Sequence, residues 1–428
     1  MEKATMITVG LSTFNLNDIC LYKYTNGVLT VQYLVPNKHT KVRKEMSLKI
    51  SQDEFKEFKT TVDASHTYPS LFFLINPFSG TGKGVSIFKG IEEYLQCMGV
   101  KYAYEITERE NHESEIITTR TDIDDFDTIV VGGGDGSLSN VINSSMNRPS
   151  NDSRIISPLP CGSGNGIAYS LYHDDNPLTA MCHIVCGKVT RMDGLIVDHL
   201  DINKQYYGIL EFEVSYLSSI DFASECIRWL GAFRFILWTL WYCVKLMCTK
   251  MVVKVKKVKM ENFGSCGALC KKCVSGYNEN ITYDYTKNIA TQIINRHTNP
   301  DAANAECDGW ETLADKSFCI FFLNNCNFGM PGIEFAHNAH RNDGLMDNWI
   351  LSEKNATRLR FLGFWICAVL NVFVPKYVSG FDYFRSSAMA LRLEKEDVFG
   401  FDGERLPPGK NFNIYVAPSV YRIRLCTL

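Results

Sequence analysis

Asp135 is the residue on which a chemistry can be built. It follows three glycines, Gly132, Gly133 and Gly134, and is followed by Gly136, within the stretch DTIVVGGGDGSLSNVINSSM from Asp127 to Met146. Glycines at such a point let the backbone come close to an anion with no Cβ in the way. The N–H groups and positive dipole end of a helix N-terminus suit phosphate. A carboxylate beside phosphate is repulsive unless it binds a metal or takes up a proton. The pattern therefore asks for phosphate chemistry in which a proton is removed or a cation is held. A glycine cluster after a strand is also a common tight turn. Two further glycine runs give this one its weight: Asn76-Pro77-Phe78-Ser79-Gly80-Thr81-Gly82-Lys83-Gly84, and Pro160-Cys161-Gly162-Ser163-Gly164-Asn165-Gly166.

Each run needs a strand to deliver it and a helix to receive it. Thr128 to Val131 is a β-branched apolar run, and Leu138, Val141, Ile142 and Met146 recur at helical spacing after it. Leu71 to Ile75 is an apolar strand, and the helix after it turns Val85, Phe88, Ile91 and Leu95 inward, with Gly99 as its C-terminal stop. Its loop is not the Walker phosphate loop: the glycine which that pattern requires five positions before Gly82 falls at Pro77, and Gly84 replaces the hydroxyl residue after the lysine. Val100, Tyr102, Tyr104 and Ile106 alternate as a strand, and Arg154 to Leu159 makes a fourth. Strands and helices alternate over residues 70 to 175, the pattern of a parallel sheet with helices on its faces. The glycine loops fall at strand C-terminal ends, where open α/β sheets bind ligands. Three together predict a nucleotide site.

The rest of the chain reads differently. Residues 1–66 are a β-rich extension: Val28 to Val35 and Met46 to Ile50 are strand-like, and Ser51 with Glu54 forms a capping box opening a helix that turns Phe55, Phe58 and Val62 to one side. It shows no chemistry and reads as a docking or regulatory piece. From Lys188 strands follow with few helices: Leu195 to Ile202, Tyr206 to Tyr216, Ser317 to Leu323, Leu345 to Leu351, Ala388 to Leu393 and Asn413 to Val416. The fold expected is therefore α/β + β, a three-layer α/β nucleotide-binding domain over 67–178 and an antiparallel β-sandwich over 179–428, with the active site in the cleft between them. Residues 251–315 read as a mobile insertion opening on Lys254, Lys256, Lys257 and Lys259. Within it Cys266, Cys270 and Cys273 are candidate metal ligands, with Cys307 or His297 as a fourth. Their spacing is not a clean pair of CxxC knuckles, and zinc is the minor reading.

Composition excludes little. The chain has 428 residues, 46% apolar and 21% charged, with a net charge of −3, which gives no reason to invoke nucleic acid. Its 16 cysteines are scattered and Glu2 and Lys3 lead into a polar start, so reduced thiols in the cytosol are expected rather than a disulfide framework. Trp229 to Cys248 is about one membrane span long but is interrupted by Arg234 and Lys245, and Phe361 to Val374 is too short to span. Both are expected to be apolar helices that pack in a core or meet a lipid surface.

The three glycine loops, NPFSGTGKG, VVGGGDGSLSNVIN and LPCGSGNG, resemble the catalytic domain shared by diacylglycerol, ceramide and sphingosine kinases. Thr107 to His112, the segment from Ile220 to Phe235 and Phe401-Asp402-Gly403-Glu404 look like the corresponding parts of sphingosine kinases, so the resemblance covers roughly residues 68 to 425. It implies transfer of the ATP γ-phosphate to the primary hydroxyl of a sphingoid base, with Mg²⁺. Asp135 falls where the family has its general base. Gly133, Gly134, Gly136 and Asp221 fall at substrate positions, Asp221 holding the ammonium of the amino-alcohol head. Asn76, Pro77, Phe78, Thr107, Glu108, Arg109, Glu110, Asn111, Asn140, Gly162, Ser163, Gly164, Arg228, Arg234, Asp402, Gly403 and Glu404 fall at ATP positions, and Asp402 is the candidate Mg²⁺ ligand. Leu237, Leu240 and Trp241 would form a gate at the membrane, opposed by Phe361, Phe364, Trp365 and Phe373. A peripheral, cytoplasmic location on a membrane surface follows from the resemblance, with no nucleic acid partner; a homodimer is left open. Two positions depart: Asn140 stands where the family usually has glutamate, and Gly133 where it often has serine. The rivals are a diacylglycerol or ceramide kinase, an NAD kinase, which has no use for two apolar helices, and a lipid-binding scaffold with a degenerate site.

Overall fold

The computed structural model describes residues 6–37, 40–148, 154–224, 226–227, 237–238, 240–241, 246–259, 266, 270, 273, 283–284, 287–302, 304, 308–372 and 374–426, without the side chains of Asp221, Val369 and Pro375. Four strands form a parallel block in the order Ile155–Pro160, Thr128–Gly133, Leu71–Ile75 and Tyr102–Ile106. Three of them are apolar along most of their length because helices cover both faces. The Gly84–Met98 helix buries Phe88, Ile91 and Leu95 and ends on Gly99 at φ +73°, a left-handed stop that glycine adopts without strain. The Asp135–Met146 helix buries Leu138, Val141 and Ile142.

The antiparallel strands after Lys188 do not make a separate sheet. The 17-residue strand Gly409–Leu425 pairs antiparallel with Lys188–His199 and Asp382–Asp397, and then runs parallel to Ile155–Pro160 through Arg422 and Ile155. One mixed sheet of 15 strands results. Arg424 fastens the junction: its Nε donates to the Thr128 hydroxyl at 2.8 Å and its backbone N–H to the Ser157 hydroxyl at 3.2 Å.

Several local expectations are corrected. The lysine-rich opening of the supposed insertion is a strand, Thr249–Val258, paired with Asp382–Asp397. Met251, Val253 and Val255 are buried while Lys254 and Lys256 alternate with them, so the charges are the outer face of a half-buried strand. Tyr206 to Tyr216 is broken into Lys204–Gly208 and Glu211–Ser215. Phe361 and Phe364 are wholly buried in an aromatic core with Trp349 and Phe381 and do not wall a tunnel. Among the described cysteines one pair, Cys248 and Cys319, forms a disulfide, against the expectation of thiols throughout. His297 packs on the Tyr415 ring at 5.2 Å; the imidazole that faces Cys270 and Cys273 is His340. Phe373 and Cys307 lie outside the described residues.

The N-terminal piece is a three-stranded antiparallel sheet, Ile19–Thr25, Val28–Asn37 and Thr40–Lys49, followed by the Gln52–Ser65 helix with the Ser51/Glu54 capping box in place. It docks on the helices of the parallel block. Gln32 donates to the Tyr94 hydroxyl at 3.0 Å, and Arg43 donates to Gln32 at 2.6 Å and to Thr179 at 3.3 Å.

Candidate active site

The three glycine loops meet. A Cβ on Gly162 would lie 2.4 Å from the Gly134 Cα, and one on Gly80 would lie 2.6 Å from the Cys161 carbonyl oxygen. No side chain larger than hydrogen fits at either contact. Asn165, in the left-handed region at φ +58°, ties the third loop to itself: its Oδ1 accepts from the Gly162 N–H at 2.9 Å and its Nδ2 donates to the Gly162 carbonyl at 2.8 Å. Asn76 joins the first loop to the second, donating to Ser137 Oγ at 3.0 Å and to Glu113 Oε1 at 3.1 Å, while its Oδ1 accepts from the Phe78 N–H.

Asp135 opens its helix, and its two oxygens accept from the N–H groups of Gly166 and Ile167 at 2.8 and 3.0 Å. The carboxylate therefore caps the neighbouring Gly166–Tyr172 helix. Burial pushes its pKa up to about 6, against the pull of those two N–H groups. Asn143, two turns along, exchanges hydrogen bonds with the backbone of Tyr207 at 2.6 and 2.8 Å, which fixes the Asp135 helix against the strand Lys204–Gly208.

A cavity of about 730 Å³ opens on these loops. Asn76, Phe78, Gly134, Asp135, Gly136 and Asn140 line it, as do Gly162, Ser163 and Gly164 of the third loop. Arg109, Glu110 and Asn111 border it too; Pro77, Thr107 and Glu108 do not. Thr107 is buried, and its hydroxyl has no hydrogen-bond partner among the described residues. Gly133 is buried beneath the turn, in contact with Ser137.

The far end of the chain arrives here as well. Glu404 extends its carboxylate over Gly136, close enough that a Cβ there would lie 2.0 Å from its Oε1. Gly403 borders the cavity beside it. Asp402 does not present itself to the cavity. It is fully buried, and its carboxylate accepts from the N–H groups of Ile209, Leu210 and Glu211 at 2.7, 2.9 and 3.1 Å. Burial raises its pKa to about 7, with the negative charge of Asp135 adding a smaller push, against those three N–H groups. With its oxygens engaged by backbone, Asp402 fits a structural clamp better than a Mg²⁺ ligand.

The cavity also has apolar lining: Leu217, Ile220 and Phe222 come from the helix Tyr216–Ser224, and Phe322, Phe335 and Trp365 border it as well. Sequence reasoning missed this lining except for Trp365, although Leu217 and Ile220 stand at helical spacing. It also missed the acids Glu113, Glu211 and Glu213, which line the same cavity; alternating positions on the strand Glu211–Ser215 were the only signal for the last two. Asp221 lies in the Tyr216–Ser224 helix. Arg228 and Arg234 lie outside the described residues. Leu237, Leu240 and Trp241 are helical and exposed, by 41%, 56% and 65%.

Residues 70–197 match the model of the diacylglycerol kinase catalytic domain. Over 178 residues the chain is 30% identical to sphingosine kinase 1 of Homo sapiens, a match covering 39% of this chain and 46% of that protein. It is 28% identical over 229 residues to sphingoid long chain base kinase 5 of Saccharomyces cerevisiae, covering 49% of this chain and 33% of that one. It is 24% identical over 361 residues to sphingosine kinase 1 of Arabidopsis thaliana, covering 79% and 69%. The chain thus spans under half the length of the human relative. The crystal structure of a diacylglycerol kinase from Bacillus anthracis shares the fold, with a TM-score of 0.53 at 13% identity over 84% of this chain and 98% of that one.

Proposed function

We propose that this chain, which carries a diacylglycerol kinase catalytic domain, transfers the γ-phosphate of ATP to the primary hydroxyl of sphingosine or a related sphingoid base, giving sphingosine 1-phosphate. The observation that carries the reading is one cavity lined both by the glycine loops with Asp135 and by the apolar side chains Leu217, Ile220, Phe222, Phe322, Phe335 and Trp365. An ATP-dependent kinase of a soluble polar substrate has no need of that apolar lining; a substrate with a long alkyl chain does.

In the proposed reaction the hydroxyl oxygen of the lipid attacks the γ-phosphorus, the bond to the β-phosphate oxygen breaks, and the hydroxyl proton passes to Asp135. A carboxylate with a pKa near 6 is ionised at neutral pH yet basic enough to take that proton as it leaves. Most of the remaining catalysis in phosphoryl transfer is positioning and charge stabilisation. Backbone of the glycine loops suits the phosphates, and Arg228 and Arg234 are assigned to the developing charge. Mg²⁺, which prefers oxygen ligands, would screen the phosphate charges; Glu404 and Asn140, which line the cavity, would hold it rather than Asp402. Residues 67–178 would hold the nucleotide and 179–428 the lipid, with 1–66 as a docked extension.

The acceptor is argued from charge. Glu211 and Glu213 add carboxylates to the cavity beyond the Asp221 assigned to the head group. A carboxylate-rich wall favours an ammonium over the neutral head of diacylglycerol. A second reading, a lipid-binding protein without turnover, draws support from Asn140 and from the engagement of both Asp135 oxygens by backbone. Labelled ATP offered with sphingosine, diacylglycerol and ceramide in turn distinguishes them. The proposal expects label in sphingosine alone; label in diacylglycerol or ceramide instead would overturn the acceptor.

A further inference from the structure

Three cysteines of one short segment and a histidine distant in sequence meet, and none of the four lines the cavity. The sulfurs of Cys266 and Cys273 are 3.5 Å apart, and His340 Nδ1 lies 3.4 Å from the Cys270 sulfur and 3.7 Å from that of Cys273. The four donor atoms all lie within 4.8 Å of one another. Cys266, Cys273 and His340 are exposed by only 4%, 2% and 1%.

Those separations match the edges of a small tetrahedron. A zinc ion with sulfur ligands at about 2.3 Å and nitrogen at about 2.0 Å sets thiolates about 3.8 Å apart and a thiolate about 3.5 Å from an imidazole nitrogen. Three sulfurs and one imidazole are soft and borderline donors that select zinc over magnesium or calcium. We propose that Cys266, Cys270, Cys273 and His340 form a structural zinc site. Binding releases three thiol protons and leaves a tris-thiolate, imidazole-ligated ion with one net negative charge; the buried Arg341 guanidinium lies within electrostatic reach of Cys273. Four protein donors fill the shell and leave no open position, so the ion has a structural role.

The surroundings show what it would hold together. The Cys266 carbonyl contacts His173 Nε2 at 2.9 Å and accepts from Asn327 Nδ2 at 3.2 Å. His173 caps the C-terminus of the Gly166–Tyr172 helix, whose N-terminus is held by Asp135. The zinc site thus fastens the segment carrying the three cysteines to the far end of the helix that positions the candidate base.

The test is metal analysis of the full chain purified from zinc-supplemented cells without chelator, with Cys270→Ser and His340→Cys alongside. One equivalent of zinc is expected in the wild type and in His340→Cys, which restores a four-ligand site, and a loss in Cys270→Ser. Cobalt substituted for zinc should give thiolate-to-cobalt charge-transfer absorption. Should Cys270→Ser not fold, the wild type serves alone: stripping with a chelator should lower its melting temperature, and zinc but not magnesium should restore it. A folded, metal-free wild type, zinc content equal in wild type and Cys270→Ser, or a Cys266–Cys273 disulfide found by mass spectrometry would each overturn the proposal.

Discussion

At the scale of single residues, two carboxylates are captured by backbone N–H groups, Asp402 fully buried and Asp135 bordering the cavity. Asp135 has an ordinary pKa of 3.8 that burial raises to about 6. Between those values the folded state keeps a proton that the unfolded state has released, so this group's contribution favours the fold at low pH and is lost as pH rises through about 6. Activity runs the other way, since only the ionised form accepts a proton: kcat/KM should climb with pH through a value near 6, read from a pH–rate profile. Asp402 separates two roles by experiment. Asp402→Asn replaces one acceptor oxygen with a donor against three backbone N–H groups, an orphaned-donor cost of about 1–3 kcal/mol in denaturant unfolding. A Mg²⁺ ligand would instead give unchanged stability and a raised magnesium requirement. The glycine loops and Asp135 were legible in the sequence, because motif and loop chemistry are local; Glu404 came only through the family resemblance, since Asp402-Gly403-Glu404 alone reads as a turn. The clamp role of Asp402 was not, because its three donors lie 191 to 193 residues away.

At the scale of elements, the glycine loops are defined by contacts rather than by flexibility. Gly162→Ala forces a methyl group against the Gly134 backbone, so the loops must part, and we expect loss of ATP-dependent activity with lowered stability. Gly90 is the control: it sits in the Gly84–Met98 helix with nothing within 4 Å of a built Cβ. Gly90→Ala should stabilise the protein by about 0.5–1 kcal/mol, measured by urea unfolding. The apolar helices divide. Phe361 and Phe364 turn into the core, while Leu359, Leu362 and Ile366 of the same helix are exposed. With Leu237, Leu240 and Trp241 these residues would form the lipid-facing surface of the proposed kinase. Leu237→Gln with Leu240→Gln should then weaken vesicle binding in a sedimentation assay and spare activity on detergent-dispersed substrate. Unchanged sedimentation would remove the gate assignment. The exposed stripe was half legible: apolar content marked both helices, but which face turns inward depends on tertiary packing.

At the scale of the whole molecule, the alternation of strands and helices over residues 70 to 175 was enough to place three loops at one sheet edge. The continuity of the sheet was not readable, since it depends on Arg422 pairing with Ile155, a contact between segments that share no pattern. The strand Thr249–Val258 was hidden for a different reason: its outward lysines dominate the composition, although its buried residues keep a period of two. No helix among the described residues is long and apolar enough to cross a membrane. The central claim is that Asp135 takes the proton of a lipid hydroxyl during transfer from ATP. The most direct measurement is the rate of labelled phosphate transfer from magnesium ATP to sphingosine by wild type and Asp135→Asn, with both proteins shown to be folded. The account predicts transfer by the wild type and a loss of about 10²–10⁴-fold in the variant. Equal transfer by both, or none by the wild type, would contradict it.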